Sequence, residues 1–255
     1  MDGRNGLNLI AYFDNLRQPL TEAIDSLADF GRSIEGELGF SGNWVYSRTD
    51  QEAQTNTGFN PVLEPETYLS YLKDEHAKQT ASIGDVGAFG ENYSLKLPHA
   101  SPSPPSDPYA YFDVFQYEGG LHPLHSDRLL FGSEITRGPF FLDLHGWARL
   151  TELIVAWRVP RYIQFEAYLY ELEGRVHKHR AWGGWLGWVS QHVDAKDMPS
   201  GAVLIPIGTG TFVASQRAQL QSEDPEQLKQ AQQVELALVE LGVLPAKDEL
   251  LRTSR

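Results

Sequence analysis

The chain opens on a short apolar run, Leu7 to Phe13, that predicts a strand, and then the spacing of its apolar residues changes. From Pro19 to Leu38 the positions Leu20, Ala23, Ile24, Leu27, Phe30 and Ile34 return every three or four residues. That spacing puts them on one stripe of a helix, the pattern a single buried face requires. Pro19 suits a first helical turn, and Gly39 is the expected stop. Trp44 to Tyr46 reads as a short strand or turn. A second helix is predicted over Pro65–Gln79, with Tyr68, Leu69, Tyr71 and Leu72 inward and Lys73, Asp74, Glu75 and Lys78 outward. A Gly-rich connection over 84–90 leads to Tyr93–Leu97, whose alternation predicts a strand.

The segment His99–Pro108, HASPSPPSDP, predicts a loop, because proline removes backbone donors and cannot continue a ladder. Strand-like segments on both sides make it a loop within one mixed sheet rather than a domain boundary. Tyr109–Tyr117 follows, then a turn at Gly119–Gly120. Phe140–Leu144 and Leu153–Val159 are the next expected strands. Arg161–Glu171 alternates in part and predicts a strand with one apolar face. Ala202–Ile207 and Thr211–Ala214 predict a closing pair around a tight turn at Gly208-Thr-Gly. The last helix starts at Asp224, with Pro225 at its first position and Gln227 at capping-box spacing. Leu228, Ala231, Val234, Leu238 and Leu241 form its stripe, and Gly242 and Pro245 end it. The expected fold class is α+β: a mixed, largely antiparallel sheet packed with amphipathic helices and closed by a C-terminal helix. One domain is expected over 1–255, with the Pro/Ser-rich loop near 99–108.

Composition narrows the function classes. A chain of 255 residues without cysteine can build a large core but no disulfide framework and no cysteine-based zinc site. No apolar run is long enough to span a bilayer, and the N-terminal one is too short for a secretory signal, so a cytoplasmic protein is expected. The 34 acids against 21 Lys and Arg give −13. That balance disfavours nucleic acid and anionic membranes and permits a basic protein partner. Just over half of the excess lies in the first 80 residues, with 13 acids and 6 bases.

The densest segment is Arg180–Ser215. Trp182, Trp185 and Trp188 fall within seven residues, separated by Gly183, Gly184 and Gly187. None of these is an acid, base or metal ligand, so the segment reads as architecture: rings packed between sheet and helices, with a sugar-stacking platform as the alternative. His177 and His179 would share a face if they lay on a strand, yet Arg175, Lys178 and Arg180 would repel a cation. His122, His125 and Asp127 form a second loose group around Pro123. His145 is expected to be packed beside Trp147. No serine sits in a G-x-S-x-G elbow, Ser133 lacking the second glycine, and Gly208-Thr-Gly-Thr lacks the lysine of a P-loop. Asp143 and Glu166 are candidate carboxylates that spacing does not select.

Over Arg161–Ser215 the chain resembles the immunity protein 52 family. The resemblance rests on Arg180-Ala-Trp-Gly-Gly-Trp-Leu-Gly-Trp-Val189, Met198-Pro199, Ala202-Val-Leu-Ile-Pro-Ile207 and Gly210-Thr-Phe-Val-Ala-Ser215. It implies an α+β protein without catalytic residues, metal or cofactor. Such a protein is an antitoxin that neutralises a polymorphic toxin, often delivered by a type VI secretion system and commonly a nuclease of restriction-endonuclease-like fold. Trp182, Trp185, Gly187, Gly210 and Thr211 match the pattern and are expected to hold the fold. Asp25, Asp29, Glu35, Glu37, Glu64, Glu66, Asp74 and Glu75 are the candidate contact surface for such a toxin. The expected function is therefore a non-enzymatic, toxin-binding immunity protein. The alternatives are a metal-assisted hydrolase using His122, His125 or Asp127, and a carbohydrate-binding module using the tryptophans.

Overall fold

A computed structural model describes residues 7–16, 18–38, 44–49, 51–52, 55, 57–83, 92–98, 114–120, 126–133, 143–167, 170 and 174–251. Among the described residues eight strands form one sheet: β1 Leu7–Phe13, β2 Asn92–Pro98, β3 Val114–Gly120, β4 Asp127–Ser133, β5 Tyr162–Ala167, β6 Gly184–Val189, β7 Val203–Ile207 and β8 Gly210–Ala214. Their order is β2-β3-β4-β1-β5-β6-β8-β7, and every neighbouring pair is antiparallel. The helices are α1 Leu20–Leu38, α2 Pro65–Ile83, α3 Leu144–Trp157, α4 Pro225–Glu240 and a short α5 Lys247–Leu250. The fold is α+β with a C-terminal helix, as its periodicities indicate.

Register decides what the sheet buries. Leu95, Tyr117, Leu129, Ala11, Ile163, Trp188, Phe212 and Ile205 are successive Cα partners, forming one row across all eight strands. Paired residues share a face, so this row fixes the side on which α1 and α3 pack. Trp157 of α3 closes the layer. Its ring meets Phe13 at 5.7 Å and Phe30 of α1 at 4.8 Å, and Trp147 meets Phe165 edge-on at 5.4 Å. On the opposite face α4 packs on β6, while toward β2, β3 and β4 that face carries the exposed Lys96 and the half-buried Glu118 and Arg128. β5 is consequently buried on both sides: Tyr162, Ile163, Gln164 and Phe165 are all inaccessible. The expected single apolar face is corrected here; partial alternation marked a central strand between two layers.

Several other boundaries differ from expectation. Leu153–Val159 is not a strand, and Leu144 is not the end of one: Leu144 and Leu153 to Trp157 belong to α3, which Asp143 caps by accepting from the Gly146 N–H at 2.8 Å and which ends at Arg158. Eight of its fourteen residues are buried, including Ile154 and Val155, and that breadth of burial hid the helical period behind β-branched residues. Residues 140–142 lie outside the described set, as do the 84–90 connection, Gly39 and the loop 99–108. Gly119 and Gly120 belong to β3 rather than to a turn. β4 was not foreseen. α2 runs four residues beyond Gln79. Leu241 sits at the C-terminal end of α4 and is 39% exposed rather than buried. Asp224 caps α4 as expected, accepting from the N–H groups of Glu226 and Gln227. Gln227, however, turns its amide to the Asp224 carboxylate at 3.0 Å and accepts from Gln221 N at 2.9 Å, instead of completing a capping box.

The Trp/Gly segment explains how a doubly covered sheet accommodates large rings. Gly187 lies beneath Trp182, where an added Cβ would fall 2.8 Å from the ring. Gly210 faces Trp188 in the same way, and Gly184 underlies the ring of Tyr170 with φ +92°. Gly184→Ala therefore combines a left-handed backbone with a clash against a buried ring, and it should lower stability by about 2–4 kcal/mol. Urea unfolding followed by tryptophan fluorescence reads this directly; a change under about 1 kcal/mol would mean Tyr170 can leave its seat cheaply.

Candidate functional site

The candidate contact acids fall on α1, on α2 and at the start of α2. α1 carries Glu22, Asp25, Asp29, Glu35 and Glu37 against a single base, Arg32. α2 packs against α1, and together they form the helical layer beside β2 and β3. The acids are not equivalent. Asp29 pairs with Arg32, Glu37 shares Arg149 with Glu152, and Glu75 holds Lys78 at 2.8 Å. Glu64 accepts from Asn60 N at 3.2 Å. Asp25, Glu66 and Asp74 are exposed and make no ion pair among the described residues. Exposed pairs contribute little to stability, but they do lower the field that a basic partner would meet.

Glu35 stands apart. It is half-buried, and desolvation pushes its carboxyl pKa up, opposed by the Trp44 indole and by Arg32. A raised folded-state pKa means that the proton is held more tightly in the folded chain. The stability it contributes is full below the ordinary carboxylate range and is lost as pH rises through the folded-state value.

The tryptophans are interior. Trp182 and Trp188 are fully buried and Trp185 is 4% exposed, so they present no open face to a sugar. Trp188 Nε1 donates to Ile207 O and Trp185 Nε1 to Gln216 O, both at 3.1 Å. Thr211 is buried, donates its hydroxyl to Gln191 O and accepts from Val193 N, each at 3.0 Å, fixing the start of the β6–β7 connection.

Two buried ionic centres carry most of the polar order. Asp127, the first residue of β4, is 2% exposed. One of its oxygens accepts from Tyr117 Oη and Arg158 Nη1, both at 2.8 Å, and from Leu16 N at 3.3 Å. The Arg158 guanidinium lies 4.7 Å over the Phe13 ring and donates to Asp14 O. Glu235 of α4 is fully buried. It accepts from Tyr170 Oη at 2.6 Å, His177 N at 2.7 Å and Val176 N at 3.1 Å. Burial, then the Glu235 carboxylate, pushes the Tyr170 hydroxyl pKa well above the phenol range, so it stays a donor. Arg175 donates to Trp182 O beside this centre. The sequence offered Asp127 only as a neighbour of His122 and His125, not as the partner of Arg158 and Tyr117, and it did not offer Glu235. Glu235 left a trace there, because it occupies a core position in the stripe Ala231, Val234, Glu235, Leu238.

The remaining candidates separate. Lys178 and His179 occupy a turn rather than a strand, with Arg180 N donating back to His177 O at 3.0 Å. Among the described residues, no three His, Asp or Glu side chains gather as a metal site. His122 and His125 lie outside the described residues, and Asp127 is committed to Arg158 and Tyr117. His145 is exposed on the first turn of α3, not packed, because Leu144 and Trp147 take the inward positions. Glu166 accepts from Gln164 at 2.8 Å. Ser133 ends β4. Among the described residues, no helix is long and apolar enough to cross a membrane.

The chain is similar to a solved structure described as Pseudomonas aeruginosa T6SS protein PA0821, at 13% identity and a TM-score of 0.44. The alignment covers 96% of this chain and 82% of that one. No family model and no curated protein matches.

Two outcomes follow from the buried and half-buried charges. Arg158→Met leaves the Asp127 carboxylate buried without its counter-charge and should destabilise the fold by about 3–5 kcal/mol in urea unfolding. Glu35→Gln removes a carboxylate that the folded state prefers protonated. The variant should be more stable than the parent at pH 7, with the gain shrinking as pH falls below the usual carboxylate range. A gain that does not change between pH 7 and pH 3.5 would assign the effect to packing instead.

Proposed function

We propose that this chain is a non-enzymatic immunity protein. In this reading it binds a secreted bacterial toxin in the cytoplasm and neutralises it by stoichiometric occlusion. The observation that carries the reading is the distribution of charge: exposed carboxylates with no ion pair among the described residues, Asp25, Glu66 and Asp74, on a pair of packed helices in a chain of net charge −13. A protein that acts on nucleic acid presents positive charge to phosphate, and an acidic surface is complementary to it. The Trp/Gly resemblance to the immunity protein 52 family gives the partner its expected class, a nuclease of restriction-endonuclease-like fold delivered by type VI secretion.

Pull-down from host lysate identifies a stoichiometric partner, and co-expression then asks whether the chain rescues growth from that partner. Rescue supports the immunity reading; a bound partner whose toxicity is unaffected overturns it. The charge reversals Asp25→Lys, Glu66→Lys and Asp74→Lys together should slow association about tenfold at low salt and flatten its salt dependence. An unchanged rate in that variant would move the contact surface off α1 and α2 while leaving the rescue result intact.

A further inference from the structure

We propose that Pro206 keeps the free edge of β7 from pairing with a second copy of this chain, holding the protein in its lower assembly state by one missing backbone donor. β7 ends the sheet order, and it is an apolar strand, Val-Leu-Ile-Pro-Ile. Val203, Leu204 and Ile205 are only half-buried and Pro206 is exposed. Such an edge is a ready template for another strand.

The hydrogen-bond phase of this edge follows from its neighbours. Ile207 and Gly210 flank the two-residue turn Gly208–Thr209, where Gly208 has φ +58°. Residues flanking a two-residue hairpin turn exchange hydrogen bonds, and pairs then alternate along the ladder. Ile207, Ile205 and Val203 therefore turn their amides toward β8. The opposite side of β8 agrees: Ser215 N donates to Trp185 O, placing Thr211 and Val213 toward β6. The main-chain groups of Leu204 and Pro206 consequently point away from the sheet.

A second β7 could add antiparallel about a two-fold axis in two registers. Pairing Leu204 with the second copy's residue 206 would make four bonds in a strand without proline. Here each Pro206 has no N–H to give, so two of the four are lost and the facing Leu204 carbonyls are left unpaired. Pairing Leu204 with its own copy gives two bonds. The flanking pair then joins Pro206 to Ala202, whose N–H already donates to Pro199 O at 3.2 Å. Each register is thus halved, and buried unpaired carbonyls penalise it further. The other end of the sheet is closed differently. At β2, Lys96 N donates to Tyr68 Oη at 2.7 Å and Pro98 O accepts from Val45 N at 3.0 Å, so chain already covers that edge. β7 has no such cover among the described residues, and proline takes its place.

Pro206→Val restores the donor and suits a strand. Sedimentation velocity across a concentration series compares it with the parent chain, and Pro206→Ala supplies the same donor should the valine variant fold poorly. The expected result is assembly one step beyond the parent, tighter by roughly ten- to a hundredfold, for two regained bonds per interface. Adding Leu204→Lys to the valine variant should reverse it, because an edge lysine resists pairing. Folded valine and alanine variants with the same mass as the parent at every concentration would overturn the proposal. So would a parent assembly that Leu204→Lys alone dissociates.

Discussion

The fold depends on the seating of aromatic rings against glycines of its own sheet. Where the sheet is buried on both faces, at β5, β6 and β8, there is no solvent into which a large side chain can swing. Tyr170, Trp182 and Trp188 each lie directly against backbone, at Gly184, Gly187 and Gly210. Interior packing approaches crystal density, so a methyl group at any of these positions has nowhere to go. The seats also set position. Tyr170 over Gly184 brings its hydroxyl to Glu235, which in turn ties α4 to the backbone at Val176 and His177. The register row from Leu95 to Ile205 then holds the opposite helical layer against the other face. Losing the Tyr170 seat would therefore loosen the sheet and α4 together.

Burying charge inside such a structure is costly unless geometry compensates. Asp127 and Glu235 each meet that condition with three donors on the carboxylate. Their placement is informative. Asp127 sits where β4 begins and joins Leu16, Tyr117 and Arg158, three segments far apart in sequence. Glu235 joins α4 to the segment between β5 and β6. Both carboxylates sit where apolar contact alone would leave chain crossings free to slide, and their hydrogen bonds are directional.

Legibility in the sequence followed the physics of burial. Elements that kept a wet face or clear turn punctuation were readable: β1, α1, β7 and the capped α4 fall close to their predicted bounds, and β8, buried at all five positions, was marked by the turn glycines Gly208 and Gly210. Elements buried on most sides without such punctuation were not. α3 hides its period because Leu150, Thr151, Leu153, Ile154 and Val155 are buried almost consecutively. β5 shows weak alternation because Gln164 is as buried as Phe165. The packing of Trp182 and Trp188 was readable from the glycines between them, whereas which ring rests on which glycine depends on long-range pairing. The ionic centres were invisible for the same reason. Asp127 and Arg158 lie 31 positions apart and meet only once β4 and α3 are placed.

Charge and edge geometry together narrow how a partner can approach. The net value of −13 overstates the field on the α1–α2 layer, because Arg32, Arg149 and Lys78 each sit on a carboxylate there. What remains is a small number of exposed acids, not a uniform anionic wall. Strand addition is disfavoured at β7 by a missing donor and at β2 by Tyr68 and Val45. Among the described strands, the proposed partner is thereby left with side-chain surfaces rather than backbone edges. Recognition through side chains draws its specificity from the residues presented. Because edge pairing reads mainly the backbone, a chain that must bind one partner and ignore others gains from keeping its edges closed.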